Sequence, residues 1–189
     1  MEMNTTQLSA ADVLPRHDYE RVRAAWRDAL VAHRSERRLV FDVATVLFES
    51  RATVLGHIQE VVYVEQCRSP RAIREQVAEY ARLLPSPTVL SATVFVHADD
   101  AAQGRRLAWA LGTGAALSLE TEPGRPVEGQ ALDPPDDGPV HYLAFRHDGA
   151  LSRRHPARLF LRWDEQVRTA PLPEAVRRSP EGDLLRLPS

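Results

Sequence analysis

The chain has 189 residues, 43% of them hydrophobic and 26% charged, with a formal net charge of −2. These are ordinary values for one globular domain. The near-neutral charge and an aromatic content of 6% argue against a nucleic-acid platform. No apolar run approaches the length of a membrane span, and Met1-Glu2-Met3-Asn4-Thr5-Thr6 lacks the basic-then-apolar order of a secretory signal. The single cysteine, Cys67, forms no disulfide within the chain, and a cytoplasmic location is the expectation. All 24 basic residues are arginine, a side chain suited to carboxylates and phosphates. Their even spread along the chain matches a coding bias.

In chain order, residues 1–14 read as a flexible polar arm. From Pro15 to about Arg37, Tyr19, Val22, Trp26, Ala29 and Leu30 recur on one helical face, and His33 continues that face as a packed core residue. Arg38 to Phe48 is rich in β-formers and predicts a long strand or a hairpin. Ser50 is an N-cap candidate for a helix from Arg51 to about Gln66. A second helix runs from Pro70 to about Leu84, where Pro85 and Pro87 end it. Thr88 to His97 is the clearest strand. Asp99-Asp100 opens a short helix to Leu111, with the acidic residues at its positive end, and Gly112 and Gly114 stop it. Ala115 to Thr121 is a strand candidate. Glu122 to Pro139 is a Pro/Gly/Asp-rich loop with a short strand candidate over 127–132. Val140 to Arg146 and Arg158 to Trp163 are strands joined by a loop containing His147-Asp148-Gly149 and Arg153-Arg154-His155-Pro156. A Pro-rich tail covers 170–189, with a helical turn near Pro173 to Arg178. The order predicts a single α+β domain over 15–169, with a largely antiparallel sheet and helices packed mainly on one face.

Chemistry is expected around the helix after Ser50. His57 and Glu60 stand three apart on it and are therefore neighbours. His97 and Asp99 follow the clearest strand two apart, and Glu49 ends the strand before the helix. Convergence of His57, Glu60, His97 and one of Glu49 or Asp99 would offer imidazole nitrogen and carboxylate oxygen to iron, manganese or zinc. The spacing reverses the Glu-x-x-His order of ferritin-like di-iron sites and lacks the His-Glu-x-x-His pattern of zinc proteases. Glu65 falls near the middle of the helix's apolar face, unless the helix stops before it. Nucleotide-binding glycine loops and the Gly-x-Ser-x-Gly elbow are absent.

Leu14-Pro15, Tyr19-Glu20-Arg21-Val22-Arg23, Leu47-Phe48-Glu49 with Arg51, Thr53-Val54 and Ile58-Gln59-Glu60, followed by Ser91-Ala92-Thr93-Val94 and Val140-His141-Tyr142-Leu143-Ala144-Phe145, resemble a bacterial family, domain of unknown function 3501, over about residues 12 to 180. His57 stands where the family helix is expected to carry Gln, and His97 where it is expected to carry Glu. The resemblance implies a setting of peroxide defence or electron transfer, since such proteins are often encoded beside rubrerythrin-like and iron–sulfur oxidoreductase proteins. Two functions follow as expectations. One is an accessory protein docking a redox partner of the rubrerythrin or iron–sulfur oxidoreductase type. The other is a small non-haem metal enzyme using the His/carboxylate set.

Overall fold

A computed structural model describes residues 7–122, 125–146 and 157–178. The 147–149 turn and the Arg153-Arg154-His155-Pro156 cluster lie outside the described residues. After a 3₁₀ turn at Ala10–Asp12 come α1 (Arg16–Ser35), β1 (Arg38–Val40), β2 (Ala44–Phe48), α2 (Arg51–Val64) and α3 (Pro70–Ala81). β3 (Val89–Val96), α4 (Ala101–Gly112), β4 (Leu117–Glu122), β5 (Arg125–Ala131), β6 (Val140–Arg146), β7 (Arg158–Trp163), β8 (Gln166–Pro171) and α5 (Glu174–Arg178) complete the order. Eight strands form one sheet in the order β1-β2-β3-β6-β5-β4-β7-β8. Every pairing is antiparallel.

The predicted α+β domain with an antiparallel sheet is what the chain forms, and the sheet curls until its ends nearly meet. Alternation along the strands turns one set of side chains inward. Val46 and Phe48 of β2, Ala92 and Val94 of β3, Leu143 and Phe145 of β6, and Leu159 and Leu161 of β7 build the inner core. Leu107 and Leu111 of α4 and Val176 of α5 fill it. A second core joins Tyr19, Trp26 and Leu30 of α1 to Val54, Leu55, Ile58 and Val62 of α2 and Val77 of α3. These three helices stand on the outer face of the sheet, so most of the helices do share one face, while α4 takes the inner one.

Arg37, only 1% exposed, sits at the junction of α1 and β1. Its Nε donates to the Phe48 carbonyl at 3.2 Å, its Nη2 to the Glu49 carbonyl at 3.2 Å and its Nη1 to the Ala175 carbonyl of α5 at 3.4 Å. Arg168 of β8 reaches Asp42, in the turn between β1 and β2, at 3.0 Å. The two ends of the sheet are thus clasped by side chains.

Arg38 to Phe48 takes the hairpin alternative of the sequence reading. Some boundaries differ. α2 stops at Val64, so Glu65 caps it in solvent, where Gln76 donates to it at 3.3 Å. Residues assigned to the arm are packed: Val13 is buried, Leu8 and Leu14 border the helical core, and Asp12 is ion-paired with Arg51. β8 went unread because Gln166–Pro171 is almost wholly exposed and lacks apolar alternation. Leu172 and Val176, placed in the tail, belong to the inner core.

Candidate functional site

Between α1–α3 and the outer face of β2, β3 and β6 lies a cavity of about 540 Å³. Its apolar walls are Leu47, Val54, Leu83, Phe95 and Val140. Arg34, Arg38, Glu49, His57, Tyr80 and Tyr142 supply its polar groups. That size, and a mixed lining of this kind, are usual for small-molecule sites.

Strand phase delivers Glu49. Thr45, Leu47 and Glu49 are two apart, and the Glu49 amide continues the pairing by donating to the Ser91 carbonyl at 2.8 Å. Its carboxyl is fully enclosed. Thr93 Oγ1 donates to Oε1 at 2.5 Å, and Thr53 Oγ1 donates to Oε2. Burial pushes the acid well up from the usual carboxylate range, although the two hydroxyls and the charges of Arg34 and Arg37 pull the other way. Thr53 Oγ1 also lies 3.0 Å from the Ser50 carbonyl oxygen.

Ser50 caps α2 by accepting from the Thr53 amide at 3.2 Å, which fixes the helix start directly after Glu49. Seven residues on, His57 faces the same cavity. Its ring packs edge-to-face on Tyr80 with centroids 4.3 Å apart. Its Nε2 is covered and has no hydrogen-bond partner, and neither has the buried Nε of Arg34. Each such orphan costs about 1–3 kcal/mol. Burial, followed by the charge of Arg34, pushes the imidazole below its ordinary value, so it is neutral at neutral pH. Burial also raises the phenol of Tyr142.

The five candidate metal ligands are divided. Glu49 and His57 line the cavity. Glu60 turns toward α1, where Arg23 Nη2 holds it at 2.8 Å and the Tyr19 hydroxyl donates to it at 2.6 Å. That arginine, ahead of burial's opposing effect, keeps the Glu60 carboxyl below the usual range. Neighbours on one helix thus part because α1 offers Glu60 a cation. His97 is exposed, with Nε2 3.2 Å from Thr45 Oγ1, and Asp99 is exposed beyond it. Among the described residues, no group of three or more His, Cys, Asp or Glu side chains is placed to hold a metal ion. His33 is the satisfied residue expected, 2.9 Å from Ser50 Oγ. His141 Nε2 bonds the Gly138 carbonyl at 2.9 Å. Arg34, Tyr80, Thr93 and Tyr142 were not foreseen. They come from four elements and share no local spacing.

A family model described as a protein of unknown function, DUF3501, matches residues 7–184. The chain belongs to the DUF3501 family. No curated protein matches this DUF3501 chain. A crystal structure of a novel protein of unknown function from Burkholderia pseudomallei K96243 shares its fold, with a TM-score of 0.78 and 22% identity over 94% of this chain and 100% of that one. Among the described residues, no helix of the DUF3501 chain is long and apolar enough to cross a membrane.

Proposed function

We propose that this protein binds a small organic anion in the cavity between its helices and its sheet. One observation carries the reading. A cavity of about 540 Å³ combines apolar walls with two arginines, and the buried Nε of Arg34 has no hydrogen-bond partner. A carboxylate entering here would satisfy that donor while its hydrocarbon part lies on Leu47, Val54 and Leu83. Glu49 offers little competition for the arginine, because its carboxyl oxygens are taken up by the Thr53 and Thr93 hydroxyls.

The test is a titration followed by NMR with benzoate, phenylacetate, hexanoate and phenyl phosphate. Saturable shifts at Tyr80 and Leu83, weakened at least ~10-fold (~1.4 kcal/mol) in Arg34→Met, support the reading. No shift with any of the four at millimolar concentration overturns it. Iron, manganese and zinc are titrated alongside, because Glu49 and His57 are the two residues of the expected metal set that share the cavity. Tight metal binding lost in both Glu49→Gln and His57→Gln would favour the metal-enzyme reading instead. The redox-docking reading draws on the family resemblance alone.

A further inference from the structure

We propose that the bound anion is the head of an amphiphile, a medium-chain carboxylate seated at Arg34 with its tail running out of the cavity over Phe95, Val140 and Val40. This rests on the anion-binding reading above and adds the class of the ligand.

Strand register lays the outer face of the sheet out in rows. Arg38, Leu47, Thr93 and Tyr142 are partners across β1, β2, β3 and β6. The next row outward is Val40, Thr45, Phe95 and Val140. Leu47 and Thr93 of the first row are buried, whereas in the second Val40 is 66%, Phe95 40% and Val140 38% exposed. Large apolar side chains are thus left to water in one line across four strands, about 14 Å at ~4.8 Å per strand. Single exposed apolar residues are ordinary, but a strip of them that adjoins a cavity marks a binding surface. Thr45, Phe95 and Val140 also line the cavity, so the strip is its continuation.

Charge and area choose an acyl chain over a protein as the occupant. Arg34 and Arg38 give the cavity positive charge, and Glu49, the one acidic side chain lining it among the described residues, is taken up by Thr53 and Thr93. The strip offers three apolar side chains, whereas a stable protein interface draws on roughly 20–30 residues a side. Arg34 stands at the enclosed end, since its neighbour His33 bonds Ser50 Oγ at 2.9 Å and its own charge reaches Glu49 and His57. Length then follows from the register. Glu49, Leu47 and Thr45 mark successive levels along β2, so the enclosed end and the strip lie four residues apart, about 13 Å. An extended chain advances ~1.2 Å per bond, a third of the rise of one residue. A carboxylate of about ten carbons therefore reaches the strip, while the tail of hexanoate ends near Leu47.

The test titrates the full chain by NMR with hexanoate, octanoate and decanoate below their micelle concentrations, and with decyltrimethylammonium as a cation of the same tail. Affinity should rise at least ~10-fold from hexanoate to decanoate. The methyls of Val40 and Val140 should shift with decanoate and not with hexanoate. The cation should bind at least ~10-fold more weakly than decanoate. Phe95→Thr should cut the decanoate-over-hexanoate ratio to ~3 or below, and Val40→Thr should lower it where Phe95→Thr does not fold. Hexanoate that binds with no gain for decanoate, or a gain without shifts at Val40 and Val140, overturns the tail path and leaves anion binding standing. Equal binding of the cation overturns the seating of the head. A dimer of the free chain that Phe95→Thr dissociates gives the strip to a second copy and overturns the proposal. Absence of binding by every carboxylate and by phenyl phosphate removes both readings.

Discussion

Thr93 Oγ1 donates to Glu49 Oε1 across 2.5 Å, tying the middle of β3 to the end of β2 at the cavity wall. The contact fixes the carboxyl's direction, and the enclosure around it works against the charged form.

The upward shift of Glu49 makes stability depend on pH in a definite sense. Burial raises the folded-state value of Glu49 above the ordinary ~4.3. Between the two values the folded chain holds a proton that the unfolded chain has released. Stability is therefore greatest below ~4.3 for this group and falls as pH rises through the folded value. Glu49→Gln keeps the shape and removes the titration. In urea melts from pH 5 to pH 8, the variant should gain on the wild type as pH rises. A difference that stays constant across that range would mean that Glu49 does not carry the proton.

His57 is expected to behave in the opposite way. Its folded value lies below the ordinary ~6.5, so the stability it contributes is complete above that value and declines as pH falls toward the folded one. Titration of its ring protons by NMR should give a midpoint below ~6.5, moving up in Arg34→Met as the neighbouring positive charge is removed. An unshifted midpoint in the wild type would place the ring in water.

Tyr19 is wholly buried and its hydroxyl donates to Glu60. Tyr19→Phe should lose about 1.5–3 kcal/mol, the range for one hydrogen bond to a charged acceptor. Chemical denaturation gives the value directly. A loss above about 4 kcal/mol would mean that the ring also shifts in its packing against Trp26 and Tyr63.

Gly112 closes α4, and a Cβ there would lie 2.6 Å from the backbone Cα of Pro135. Backbone gives way less readily than a side-chain tip. Gly112→Ala should destabilise by about 1–3 kcal/mol despite alanine's better helix propensity. Gly56→Ala meets the Leu30 side chain first, which can turn aside more readily than backbone, so its loss should be the smaller of the two. Equal melting temperatures for Gly112→Ala and the wild type would show that the 133–138 loop moves freely.

Much of the fold was legible because the signals were local. Thr88 to His97 is dense in β-branched residues, Ser50 has a hydroxyl where a cap is needed, and Asp100 accepts from the Ala102 amide as an N-cap. β8 was not, because its partner β7 specifies it by backbone pairing and its own side chains face water. Half of the site could be read. Glu49 ends one element and His57 lies on the next, and strand phase with helix phase brings both to one cavity. Glu60 misled because helical adjacency says nothing about which neighbouring helix offers the nearer cation. Arg34 and Tyr142 lie far from Glu49 in the chain, and only the packing of α1 and β6 against β2 and β3 assembles them.

The clasp made by Arg37 has a kinetic consequence. The outer edges of β1 and β8 are joined by one guanidinium, one ion pair and a five-residue helix instead of a backbone ladder. Such a junction can part without dismantling a strand pair. The amides of β1 and α5 should therefore exchange with solvent sooner than those of β3 and β6, which are paired on both sides. Because Arg37 holds the carbonyl of Glu49, each opening of the seam also loosens the wall of the cavity.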